Sequence, residues 1–169
     1  MADQTTLDSP RAGRAPGESD ESLKDALEQT LEEARMVLPG VQALFGFQLI
    51  AVFSDGFERR LTPAEQKLHL GATMLVTIAI ALMMTPAAYH RQVDRRRATA
   101  AFLALASRLV SGAMLPLAAG LSLDIHLIAR VVVGDRAIAI AIGSVVFAMF
   151  IALWFVFPQW RAARHRRRR

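Results

Sequence analysis

LGATMLVTIAIALMMTPAAY, residues 70–89, contains no charged side chain. A helix rising 1.5 Å per residue needs roughly 20 predominantly apolar residues to cross the hydrocarbon core of a bilayer. This run meets that length. Residues 36–53 (MVLPGVQALFGFQLIAVF) and 137–157 (AIAIAIGSVVFAMFIALWFVF) meet or approach it. Such runs are rare in soluble domains, so the chain is read as a membrane protein whose fold is all-α.

Working outward from residues 70–89, Thr62-Pro63-Ala64-Glu65 has the form of a helix start, with Thr as N-cap, Pro at the first helical position and Glu at the third. The second span is placed at 68–88, and Thr85-Pro86 near its far end is a proline position that a membrane helix tolerates. The first span is 36–53, interrupted only by Gln42 and Gln48, and Pro39-Gly40 predicts a kink or break just inside it. The fourth span is 137–157. Pro158 is expected to end it, and Trp154, Phe155, Phe157 and Trp160 form an aromatic belt at that end.

The third span is less clean. Residues 98–133 are too long for one upright crossing and include Arg108, Asp124, His126 and Arg130. A membrane portion at 105–128 lets Arg108 reach the headgroups. The rival frame, 98–121, puts Arg108 near mid-membrane, at a cost of about 2.5–3.5 kcal/mol or more without a partner. The first frame is preferred for that reason.

Outside the spans the charge is segregated. Mean hydropathy is +0.31 although the chain holds 20 Lys and Arg and 15 Asp and Glu. Residues 1–35 hold nine acids and four bases, whereas the tail RAARHRRRR (161–169) holds six arginines and no acid. Residues 1–18, rich in Pro, Gly, Ser and Asp, are expected to be disordered. Residues 19–35 carry Leu23, Leu27 and Leu31 on one stripe and read as an amphipathic cytosolic helix. The first residues lack the apolar core of a secretory signal, so the first run is read as an uncleaved span. With four spans, the head, the loop 89–97 and the tail share one side and hold four, four and six basic residues; the opposite turns hold three and two. The positive-inside rule then puts both termini in the cytoplasm.

The chain has no cysteine, which removes disulfides, thiolate metal sites and cysteine nucleophiles. No G-x-S-x-G, H-E-x-x-H or phosphate-binding glycine loop occurs. One histidine and one acid near the end of span three are too few ligands for a metal. His69, His90 and His165 each stand alone near an interface and are read as non-ligands. No catalytic residue, metal or cofactor is therefore expected.

Polar groups within a membrane are functional candidates by default. Gln48, Asp124 and His126 are the candidate pathway residues. Gln42 and Gln48, six apart, do not share a helix face, and each has the plainer role of hydrogen bonding between helices. A proton-coupled carrier needs a membrane-buried acid. Spans one, two and four have none, and Asp124 lies toward the outer end of span three, so such a mechanism finds little support. In span four, Ala137 and Ala141, Ala139 and Gly143, and Ala148 and Ala152 recur at small-residue spacing, for packing within the chain or against a second copy. Arg161, Arg164, Arg166, Arg167, Arg168 and Arg169 suit anionic lipid headgroups at about 1 kcal/mol per base. A nucleic-acid partner is not expected, because the tail interleaves no aromatic residues.

Glu33-Ala34-Arg35, Gly40-Val41-Gln42 with Phe45 and Phe47, Phe53 with Phe57, Pro86-Ala87-Ala88-Tyr89-His90-Arg91 and Arg108 together resemble an uncharacterised bacterial family of small four-span integral membrane proteins, known only as a domain of unknown function. The resemblance covers about residues 27–160. It departs where ATAAFLALAS precedes Arg108. It implies a four-helix membrane protein in the bacterial inner membrane and supplies no activity, because the family has none assigned. It also singles out Gln42, Tyr89, His90, Arg91 and Arg108, and with Glu33 and Arg35 at the matching end of span one these are expected to form a polar interhelical cluster at the cytoplasmic interface. Its plain role is to staple helix ends; its functional role is a headgroup or partner site.

The sequence therefore predicts an integral bundle of four transmembrane helices over 36–160, preceded by the amphipathic helix. The leading function is a non-enzymatic accessory or scaffold subunit of a membrane complex. The alternative is a small homo-oligomeric transporter or channel. Transport predicts that Gln48, Arg108 or Asp124 faces a shared cavity.

Overall fold

The computed structural model describes residues 16–92 and 100–166, and every regular element among them is helical. These are α1 (Pro16–Val52), the short α2 (Asp55–Arg60), α3 (Pro63–Gln92), α4 (Ala100–Val133), α5 (Arg136–Ile151) and α6 (Phe157–Arg166), with a π-helical turn, Ala152–Val156, joining the last two. Four stretches are long and apolar enough to cross a membrane: Glu28–Val52, Pro63–Tyr89, Ala100–Val133 and Arg136–Arg161. The protein is a multi-pass helical membrane protein.

α4 is the central helix. It packs closely on α3 along one side and on α5 along another, while α1 lies across α3 and α4. Small residues permit the two close approaches, as in membrane helices generally. A Cβ added at Gly120 would sit 2.9 Å from Val76 Cγ2 and 3.0 Å from the Ala72 carbonyl oxygen of α3. A Cβ at Gly143 of α5 would sit 2.8 Å from His126 Cβ. Ala139 and Gly143 are buried, so that pair serves packing inside the chain; Ala137, Ala141, Ala148 and Ala152 face outward. Val41, Val76, Ala79, Met83, Ala113 and Leu117 form the core, with Trp154 packed against it. Large apolar residues such as Phe47, Ile50, Val132 and Val145 point outward, as a hydrocarbon solvent allows.

Several boundaries differ from those read in the sequence. The amphipathic stretch 19–35 is not a separate helix: α1 runs from Pro16 through Pro39-Gly40 to Val52 without a break. A proline costs the helix one donor and one carbonyl partner. In an apolar solvent there is no water to reward opening the remaining ladder, so the helix persists. Residues 16–18, expected to be disordered, begin this helix, and residues 1–15 lie outside the described residues. Pro158 does not end the fourth span. The ladder widens ahead of it, with Phe157 N–H donating to the Ala152 carbonyl, and the helix continues as α6. This is the rearrangement a missing proline N–H calls for. α4 extends beyond 105–128 at both ends, through a third internal proline, Pro116.

The helix ends are held by local chemistry. Thr62 and Glu65 form a reciprocal capping box: Thr62 N–H donates to Glu65 Oε2 at 2.8 Å, and Glu65 N–H to Thr62 Oγ1 at 3.3 Å. Asp135 caps α5 by accepting from the Ala137 and Ile138 N–H groups. Gly134 turns the chain between α4 and α5 at φ 77°, a left-handed conformation that suits glycine.

Candidate functional site: a buried histidine, acid and amide

Gln48 near the C-terminal end of α1, His69 two turns into α3 and Asp124 in the last third of α4 meet at one end of the bundle. The capping box sets where α3 begins, and so which way His69 points. From His69 the buried positions Ala72, Thr73, Val76, Ala79 and Met83 follow at three- and four-residue spacing, so His69 lies on the packed face. Phe57 of α2 closes over its ring edge-on at 5.3 Å.

Gln48 Nε2–H donates to Asp124 Oδ2. His69 Nε2 lies 3.0 Å from the Gln48 backbone carbonyl oxygen. A carbonyl only accepts, so Nε2 carries a proton, and in the neutral ring Nδ1 is then an acceptor. Nδ1 lies 3.4 Å from Asp124 Oδ1, within ion-pair reach but not aligned as a hydrogen bond. The two side chains are only 10% and 14% exposed. Asp124 Oδ1 and Gln48 Oε1 are buried acceptors with no donor among the described residues. Leaving such groups unpaired costs about 1–3 kcal/mol each, and more for a charge.

Gln48, His69 and Asp124 are the polar residues at one side of a cavity of about 530 Å³ between α1, α2 and α4, with Asp124 Oδ1 and Gln48 Oε1 themselves buried behind its surface. Its walls are Leu44, Phe47, Ala51, Phe57, Leu127 and Ile128, with Arg60 at the lining of its α2 side. An apolar chamber with a few convergent polar groups, in this size range, is the usual form of a small-molecule site. Beside it, Glu65 Oε1 and Arg130 Nε lie 3.1 Å apart and tie α3 to α4. Arg130 Nη1 also donates to the Gly134 carbonyl at 2.7 Å.

A family model matches residues 18–158. The chain belongs to this family of unknown function, DUF6328. No curated protein and no solved structure matches the chain. The matched stretch of this DUF6328 chain contains Gln48, His69 and Asp124.

The other candidates lie elsewhere. His126, two residues from Asp124, faces away toward Gly143 of α5, where it lines a second, smaller hollow with Ser122 and Ser144. Of the expected pathway residues, Gln48 and Asp124 thus meet at one cavity, while His126 lines the second hollow. Glu33, Arg35, Gln42, Arg91 and Arg108 are exposed, and no hydrogen bond or ion pair joins them to one another among the described residues. Glu33 accepts from Gln29 one turn earlier. The seam they were expected to staple is filled by apolar contacts: Tyr89 stacks on Phe102 at 5.2 Å, and Leu31 packs on Phe102 and Ala106. The His90 side chain lies outside the described residues. In α6, Arg164 lies 3.6 Å over the Trp160 ring and Arg161 5.7 Å from that of Phe157. The Arg166 side chain and Arg167, Arg168 and Arg169 lie outside the described residues, as do Arg95, Arg96 and Arg97 of the basic loop. Among the described residues no group of three or more His, Cys, Asp and Glu is placed to hold a metal ion.

His69 is the site residue that the sequence reading passed over. Its signal was its register: it stands one turn before Thr73 and two before Val76, on the stripe that packs against α4.

Proposed function

We propose that this protein is a small non-enzymatic membrane transporter, working as a homo-oligomer, whose solute site is the cavity over Gln48, His69 and Asp124. The observation that carries this reading is that Gln48 and Asp124, from α1 and α4, line one cavity and hydrogen-bond to each other. A membrane interior rarely retains an ionisable group such as Asp124 without a use for it. The cavity opens outward beside the exposed Phe47, Ile128 and Val132 and suits an amphiphilic solute, with an apolar body along Leu44, Phe47 and Leu127 and a polar head at Asp124.

The membrane we propose is a bacterial inner membrane with both termini cytoplasmic. The Lys and Arg distribution supports this, and it puts the cavity toward the outer face. Leu31, Tyr89 and Phe102 mark the opposite, cytoplasmic end of the bundle. Arg161 and Arg164 then lie where anionic headgroups are found.

The accessory-subunit reading keeps one observation in its favour. α5 packs mainly on α4, and its residues Ile138, Ile140, Val145 and Met149 point outward. That face can take a partner protein or a second copy of the chain.

The test is binding of phenylbutylamine, phenylbutanol and phenylbutanoate to the purified protein and to the Ala51→Trp variant, which fills the cavity. Binding of any of the three that is lost in A51W supports a solute site. Binding of none, or binding unchanged in A51W, moves the weight to the accessory role.

A further inference from the structure

The transporter reading leaves open what the site selects, and the floor of the cavity bears on that directly. Nε2 of His69 is committed as a donor to the Gln48 carbonyl. Nδ1 and Asp124 Oδ1 then face each other at 3.4 Å as two acceptors, which a single proton on either atom reconciles. Gln48 Oε1 and Asp124 Oδ1 are buried without donors among the described residues. Without that proton the floor carries one uncompensated negative charge in a desolvated setting, which is costly. A cation bearing N–H groups compensates the charge and supplies donors to the acceptors at once.

We infer that the Gln48, His69 and Asp124 cluster holds one positive charge at a time, either a proton between His69 Nδ1 and Asp124 Oδ1 or the protonated amine head of an apolar solute, so that amine and proton exchange at one site. This rests on the transporter reading and names its substrate class. When the ammonium binds, the Asp124 and Gln48 side chains turn their buried acceptor oxygens toward the cavity to accept from its N–H groups, and the displaced proton leaves to water through the cavity. Charge balances: one cation enters and one leaves.

The neighbouring charges do not supply that compensation. On α2, Arg60 lines the cavity but its side chain is exposed. On α3, Glu65 is engaged with Arg130 of α4 at 3.1 Å. His126 of α4 faces α5, and α1 brings only the uncharged Gln48.

The test adds phenylbutylamine to the weakly buffered, purified protein and reads proton release with a pH indicator. Phenylbutyltrimethylammonium, which has no N–H, and phenylbutanol serve as comparisons. The expected result is release approaching one proton per amine bound, with amine affinity falling about tenfold per unit of acidification across the exchange range. The quaternary cation should bind at least about tenfold more weakly, since it leaves both acceptors unpaired. Asp124→Asn should abolish proton release while retaining phenylbutanol binding. Amine binding without proton release at any pH overturns the inference, as does selective binding of the alcohol or the carboxylate; either result leaves the solute site standing. Because the pH dependence is read on the unaltered protein, the outcome does not depend on D124N folding. Binding of no probe at all sinks the transporter reading as well.

Discussion

His69 Nε2 lies 3.0 Å from the backbone carbonyl of Gln48, so a side chain of α3 is fastened to the main chain of α1 at one end of the bundle. That bond fixes the ring tautomer and aims the other nitrogen at Asp124. It also makes the floor of the cavity a joint between three helices, so substitutions there affect both stability and binding.

Gln48→Ala removes the amide that donates to Asp124 and leaves Oδ2 without its partner. Hydrogen bonds between membrane helices are worth on the order of 1 kcal/mol. The variant should unfold more readily in detergent by about that amount, and Gln42→Ala, an exposed position, should not. Equal effects of the two would contradict the placement of Gln48.

Gly120 marks a close approach of α3 and α4. A methyl group there meets Val76 and the Ala72 carbonyl. Gly120→Ala should cost about 1–3 kcal/mol by overpacking. Gly112→Ala, with nothing within 4 Å of its added Cβ, should be neutral or slightly stabilising. Thermal unfolding of the two variants side by side reads the difference.

Glu65 has two jobs that can be separated. It closes the capping box with Thr62 and pairs with Arg130. Glu65→Gln keeps the box chemistry and loses the ion pair, whereas Thr62→Ala breaks the box at a cost of about 0.5–2 kcal/mol. A double-mutant cycle of E65Q with Arg130→Met should show coupling; a cycle of T62A with R130M should show much less.

The absence of native cysteine makes topology directly measurable. Single cysteines at Ser54 and at Arg161 are predicted to react with a membrane-impermeant maleimide from opposite sides, Ser54 from outside the cell and Arg161 only after lysis. Labelling of both from the same side would contradict the four-span arrangement.

Much of the fold was legible because its causes are local. The length of an apolar run and the Thr62 to Glu65 box can be read without knowing what touches what. The continuity of α1 through Pro39 and of the last helix through Pro158 was not legible. Proline is a reliable breaker only where water can satisfy the freed backbone, and here the solvent is lipid. The site was half legible. Gln48 and Asp124 stood out as polar groups in apolar surroundings, but their bond joins residues 76 apart in sequence and depends on the register of α1 against α4. His69 was missed because it was weighed as a lone histidine near an interface and not as the first member of a packed stripe. Among the described residues, Glu33, Arg35, Gln42, Arg91 and Arg108 of the expected cluster do not join one another, while Tyr89 stacks on Phe102 in that seam beside Leu31.

Counterflow of labelled phenylbutylamine in proteoliposomes tests transport through this cavity most directly. At about pH 6, far below the ordinary ammonium pKa of about 10.4, nearly all of the amine is charged and crosses bare lipid slowly. Vesicles preloaded with unlabelled amine and containing the wild-type protein should show a transient overshoot of label, and those with Ala51→Trp or Asp124→Asn should not. Identical time courses for all three proteins and for empty vesicles would contradict transport through the Gln48, His69 and Asp124 cavity.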